Sequence, residues 1–220
     1  MIRKDYDHLE HFFEDLIPGV KRLAVVGGGF IGVEFADEVR KSGVAVTVIE
    51  QLPHILLRNF DQEVSVRIEQ ELRARDIAVH TGSGVTALEG DGEDGPVRAV
   101  RLANGERIPA EAVLVAIGAT PCWARAWASR WPWRWDLGRC IPTHRRGSHV
   151  FAVGDCAFKQ DFLLRRSVHS LLASTAAAEG RTAGMNLFGL RNERYNAGTI
   201  AVYASQLGDL AFGCAGMTAA

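Results

Sequence analysis

Cysteine is scarce and unpatterned in this chain. Its four copies among 220 residues, Cys122, Cys140, Cys156 and Cys214, never fall in Cys-x-x-Cys spacing. That argues against a zinc site or a disulfide framework and makes a reducing cytoplasm the expected setting. Neither sign of charge is in excess. A formal net charge of −1 leaves no electrostatic footprint for nucleic acid or for an anionic membrane. Long hydrophobic runs are missing too, and stretches such as Ala112–Ala119 are far too short to span a bilayer. The opening "MIRKDYDHLEHFFEDL" is too acidic and too interrupted for a signal peptide. Tryptophan is absent except between positions 123 and 135. What is present is ordinary for a globular protein: 47% hydrophobic and 23% charged residues. The length suffices for a buried core, as one large domain or two small ones.

The most informative stretch is "KRLAVVGGGFIGVEFADEVRKSGVAVTVIE". Leu23–Val26 is a short apolar run suited to a strand buried on both faces. Gly27, Gly29 and Gly32 then give G-x-G-x-x-G at a strand-to-helix turn, with Gly28 between the first two. Ile31, Phe35 and Val39 follow at helical spacing, Gly43 stands where a helix C-cap glycine belongs, and Val44–Ile49 forms a second strand ending at Glu50. In this arrangement Gly27 permits the tight turn, Gly29 lets backbone approach a pyrophosphate, and Gly32 lets helix and strand pack closely. The helix N-terminus offers unpaired N–H groups to phosphate. Glu50, 18 positions after Gly32, can accept the ribose hydroxyls of an adenosine. A 2′-phosphate would meet its negative charge, so NADH should be preferred over NADPH. A glycine motif alone is weak, but here it sits in register with both strands, the helix and the terminal acid.

Further elements extend the unit. "NFDQEVSVRIEQELRARD" predicts a crossover helix with Asp61 at its N-cap and Val64, Ile68 and Leu72 on its apolar face. "IAVHTGSGVTALEG" and "VRAVRLANGERIPA" predict strands, the second turning at Asn104–Gly105. "AVLVAIGATP" predicts another buried strand, ending in Gly118 at the carboxyl edge where ligands of open α/β sheets gather. The segment "RKDYDHLEHFFEDL" reads as an amphipathic packing helix, and "EGDGEDGP" as a solvated loop.

Together with "VTVIEQLPHIL", "VLVAIGATP" and "VFAVGDCA" these residues resemble the pyridine nucleotide–disulfide oxidoreductases, the flavoproteins with two dinucleotide-binding domains. The likeness is greatest to the branch of NADH oxidases, NADH peroxidases and coenzyme A–disulfide reductases. It implies an α/β fold: a Rossmann-type NAD-binding domain with a parallel sheet over 20–120, followed by a partial FAD-binding domain over 150–192. Residues 1–19 would then be a packing helix or linker, 121–149 an irregular segment, and 193–220 the start of an interface domain that makes a homodimer. The implied cofactors are FAD and NAD, with NADH and a small-molecule electron acceptor as partners. Residue by residue, Gly27, Gly28, Gly29, Ile31, Gly32, Glu50 and Gly118 fall on NAD positions, and Glu34 falls near the nicotinamide. Asp155 falls where the family binds a ribityl hydroxyl of FAD. Leu171, Leu172, Ala173 and Ser174 fall at the helix start facing the flavin ring, where the helix dipole favours a reduced, anionic flavin. In the family, hydride passes from NADH to the flavin and on to oxygen, peroxide or a disulfide.

Two departures shape the expectation. Nothing matches the family's first FAD segment or its redox cysteine, so the chain reads as the middle of a longer enzyme. A catalytically silent NAD(H)-binding module, pairing with a separately encoded FAD segment, is the alternative. Plainer readings also stand: Asp155 as a turn cap, Cys156 as a small buried hydrophobe, and His169 as a surface or capping histidine. "WARAWASRWPWRW" (123–135) admits an aromatic platform, a membrane patch, or a local frameshift. Pro132 breaks any amphipathic helix there. A shifted reading frame in G+C-rich DNA, which turns Leu and Val codons into Trp, is the preferred reading. It predicts an irregular, poorly packed stretch.

Overall fold

The computed structural model describes residues 6–92, 95–118, 153–157, 159–165, 167–168, 171–187 and 197–216. The tryptophan-rich stretch, with the expectation attached to it, and His169 lie outside these residues. The described residues form two compact units: one runs to Gly118 and resumes at Tyr203, and the other lies between.

The first unit opens with α1 (Tyr6–His11), which continues as a π-helical segment Phe12–Leu16 and a 3-10 turn Ile17–Gly19. The expected amphipathic helix is therefore helical but not uniform. Pro18, near the start of the last turn, supplies no N–H to carry the helix on. Phe12 and Ile17 are buried, and the Phe12 and Phe13 rings both meet Phe35. Next come β1 (Arg22–Val26), α2 (Phe30–Lys41), β2 (Ala45–Ile49), α3 (Gln62–Ala74) and β3 (Ile77–His80). After them run β4 (Val85–Gly90), β5 (Val97–Leu102), β6 (Arg107–Pro109) and β7 (Ala112–Val115).

β3, β2, β1 and β7 lie side by side in that order, all parallel, with Val25 opposite both Val48 and Leu114. β4, β5 and β6 form a separate antiparallel sheet that turns at Gly105, φ +87°. Successive side chains of β1 are buried in opposite cores. Leu23 and Val25 join a core with Val33, Val39, Ile68 and Leu72, whereas Ala24 joins Ile49, Val100, Leu102, Ile108 and Ala110. The parallel sheet is thus covered on both faces, as the continuous apolar runs require. Each fully buried Leu or Ile contributes roughly 1.5–3 kcal/mol of transfer free energy.

One expectation about α3 fails in detail. Val64 is 37% exposed, and the buried face is Ser65, Ile68, Glu69 and Leu72. Asp61 does stand at the N-cap, its carbonyl accepting the N–H groups of Val64 and Ser65. That start rotates Ser65, not Val64, toward the sheet.

The second unit holds β8 (Lys159–Gln160) paired with β9 (Ser167–Val168), and α4 (Ala173–Asn186). Returning to the first unit, the hairpin of β10 (Val202–Leu207) and β11 (Leu210–Ala215) places fully buried Leu207 in the main core, with Tyr203, Leu210 and Phe212 packed against it. Tyr203 stacks on Phe30, and Phe212 meets Phe60 edge-on.

Candidate dinucleotide site

The glycine loop sits at the carboxyl ends of β1, β2 and β7, and protein atoms press on three of its four glycines. Gly27 has φ +111°, and a Cβ there would lie 2.4 Å from the Ala116 carbonyl oxygen. Its N–H donates to the Ile49 carbonyl at 2.8 Å. A Cβ on Gly28 would lie 2.7 Å from Ile55 Cγ2, and one on Gly32 only 1.9 Å from the Gly27 carbonyl oxygen. Gly29 is different: no atom lies within 4 Å of its Cβ position. It is the N-cap of α2, and its carbonyl accepts the Val33 N–H at 3.0 Å. Open space therefore adjoins the first turn of α2, whose leading N–H groups have no partner within the helix. That combination fits the pyrophosphate of a dinucleotide.

Glu50 follows β2 directly and is half-buried. One carboxylate oxygen accepts the Gly28 N–H at 2.8 Å and the other accepts the Leu52 N–H at 2.8 Å. Its role is therefore double: it fixes the glycine loop, and a carboxylate with four acceptor positions still has two for hydroxyl groups. Ile31 is 44% exposed at the start of α2. Glu34, also exposed, accepts the Ser205 hydroxyl from β10 at 2.7 Å. Gly118 is exposed with φ +96°, after Ile117, which is 75% exposed. The structure thus gathers Gly27, Gly28, Gly29, Ile31, Gly32 and Glu50 around the β1–α2 turn and sets Glu34 one helical turn further on. Gly118 follows β7, whose neighbour Ala116 touches Gly27.

The remaining candidates belong to the second unit. Asp155 is exposed in a 3-10 turn, Gly154–Cys156, and Gly154 has φ +73°. Leu171 and Leu172 are half-buried, Leu172 being the N-cap of α4, while Ala173 and Ser174 lie exposed in its first turn. The turn packs on α4: the Gly154 N–H donates to Glu179 at 2.8 Å, and a Cβ on Gly154 would sit 3.6 Å from Ala176 Cβ. An exposed carboxylate in a turn packed on α4 can accept hydrogen bonds from a ligand's hydroxyl groups.

Three supporting residues escaped the sequence reading. Glu69 on α3 is buried against the loop after β2. Lys159 and Glu179 form a buried ion pair beneath the Asp155 turn. Their burial has no periodic signal, because partners distant in sequence bring it about.

The family described as pyridine nucleotide-disulphide oxidoreductase matches residues 2–180 of this chain. The chain is 33% identical over 189 residues to the ferredoxin reductase subunit of the 5,5'-dehydrodivanillate O-demethylase of Sphingobium sp., covering 79% of this chain and 42% of that protein. It is 28% identical over 204 residues to an NADH oxidase of Methanocaldococcus jannaschii, covering 91% of this chain and 44% of the relative. Among solved structures, the water-forming NADH oxidase of Lactobacillus brevis, bound to NADH, superposes with a TM-score of 0.84 at 22% identity. That match covers 98% of this chain and 47% of the other, and shows a shared fold. The chain spans less than half the length of each of these proteins.

Proposed function

Because this chain belongs to the pyridine nucleotide–disulphide oxidoreductases, we propose that it serves NADH-dependent flavoprotein chemistry. In this reading residues 20–120 bind NAD(H), and residues 150–192 form the carboxyl-terminal part of an FAD site. The observation that carries it is the contrast among the glycines: Gly27, Gly28 and Gly32 are pressed by protein, and Gly29 faces open space at a helix N-terminus.

The chain's own residues bind and orient. The first turn of α2 receives the pyrophosphate, and Glu50 accepts ribose hydroxyls while repelling a 2′-phosphate. Glu34, held by Ser205, places a carboxylate beside the nicotinamide end. Asp155 accepts a ribityl hydroxyl, and the N-terminus of α4 favours negative charge next to it. When bound, NADH supplies a hydride and FAD takes up its electron pair for transfer to an acceptor. Oxygen, peroxide and a disulfide are acceptors suggested by family resemblance, and the Sphingobium relative, named a ferredoxin reductase, adds a ferredoxin. A homodimer and a cytoplasmic location complete the proposal.

Titrating the purified chain with NADH and NADPH by fluorescence, alongside its visible flavin spectrum, tests this. NADH should bind more tightly than NADPH, and Glu50→Ala should weaken NADH and narrow the preference. A chain that binds neither nucleotide sinks the proposal. The second reading, an NAD(H)-binding module without turnover of its own, is favoured by the complete glycine motif within a single compact unit. NADH binding without retained flavin supports it, and flavin-dependent NADH turnover removes it.

A further inference from the structure

We propose that Glu69, on the crossover helix α3, is a positioning residue for the nucleotide loop, acting through Ile55 and Gly28. The inference rests on the glycine loop being the NAD(H) site.

Glu69 is a carboxylate taken almost wholly out of water, its side chain 6% exposed. A charge so placed is costly unless donors surround it. Three do so. Ile55 N–H donates to Oε1 at 3.3 Å, His54 Nδ1 lies 3.1 Å from the same oxygen, and Arg73 Nη1 donates to Oε2 at 3.2 Å. Two of the three come from the loop after β2. That loop reaches the nucleotide motif directly: Ile55, fully buried, fills the space where a Gly28 Cβ would stand. Leu56, held at φ +54°, donates its N–H to the Gly28 carbonyl at 2.8 Å. From the other side Glu50 accepts the Gly28 N–H. Both backbone groups of Gly28 are thus fixed, one by Glu50 and one by a segment that Glu69 anchors.

An apolar side chain at position 69 would leave the buried Ile55 N–H without its acceptor. What only an acceptor of this length gives is a fixed position for residues 54–56. A non-glycine residue at positive φ, such as Leu56, persists where its surroundings over-determine it. Glu69 supplies that constraint, and with it the preorganisation of the loop.

The test compares NADH affinity of the full chain with that of Glu69→Leu, Glu69→Asp and Glu69→Gln, together with thermal melts and amide exchange. Glu69→Leu and Glu69→Asp, which cannot reach the Ile55 N–H, should raise the NADH Kd about ten-fold. Exchange at Ile55 and Leu56 should quicken in both. Glu69→Gln keeps an acceptor in place and should restore most of the affinity. The shorter Asp variant keeps the test alive where the Leu variant does not fold. A wild-type chain that binds NADH while the Asp and Leu variants bind it equally well overturns the role of Glu69, whatever their melting temperatures. A wild-type chain that binds no NADH overturns the reading of the site itself.

Discussion

Gly29 and Gly32 lie three positions apart and face opposite demands, so alanine at each should fail differently. At Gly32 the new methyl would meet the Gly27 carbonyl oxygen at 1.9 Å, and backbone cannot give way cheaply. Gly32→Ala should destabilise the chain by about 1–3 kcal/mol, the usual range for overpacking, visible as a lower melting temperature. At Gly29 the space is open and φ is −79°, so Gly29→Ala should melt near the wild type while binding NADH more weakly. Paired melts and NADH titrations separate the two. Much of this was legible in the sequence: the spacing of Gly27, Gly29 and Gly32 between an apolar run and a helical pattern assigns each its job. Gly28 was not legible as a packing site, because Ile55 comes from a loop past the second strand. Nor was the second role of Glu50, since its bonds to Gly28 and Leu52 depend on how that loop returns.

Among the elements, the contact between α4 and the Asp155 turn should be the most sensitive to single changes. Lys159 and Glu179 are each 2% exposed, 3.4 Å apart, and Lys159 also donates to the carbonyls of Gly154 and Ala157. Removing one partner strands a buried charge, so Glu179→Leu should cost about 3–5 kcal/mol. The double change Lys159→Met with Glu179→Leu should cost far less, and chemical denaturation of the three variants checks this. The antiparallel sheet offers a pH test. Arg107 and Arg101 bond to Glu89 across the strands and hold its carboxyl below the ordinary carboxylate range. A carboxyl that titrates lower when folded stabilises fully above its unfolded value and loses that contribution as pH falls through the folded one. Melts recorded on acidification should therefore fall less steeply for Glu89→Gln than for the wild type. Helices and strands of the first unit were readable from apolar periodicity. On α3 the burial of Ile68 and Leu72 was readable too, but that of Ser65 and Glu69 was not, because they are buried for reasons periodicity does not encode.

For the molecule as a whole, the chain returns at Tyr203 to a unit that it left at Gly118. The hairpin β10–β11 is part of that unit's core, through Leu207 and the ring contacts Phe30–Tyr203 and Phe60–Phe212. Leu207→Ala should thus lower the stability of the nucleotide-binding unit by about 2–5 kcal/mol, as large-to-small changes in cores do. NADH protection against thermal unfolding provides the readout. The sequence reading set 193–220 apart as the start of a further domain. Nothing local in "AVYASQLGDLAF" says which aromatics it will meet, since its partners Phe30 and Phe60 lie more than a hundred residues earlier.

This closure has a consequence during synthesis. Phe30 and Phe60 leave the ribosome well before the strands that cover them, which lie more than a hundred residues further along the chain. Until then the sheet and its helices carry an uncovered aromatic face, the kind of surface on which nascent chains aggregate. A chain stalled before Tyr203 should be a client for chaperones that bind exposed aromatic surface, and emergence of β10 and β11 should end that dependence.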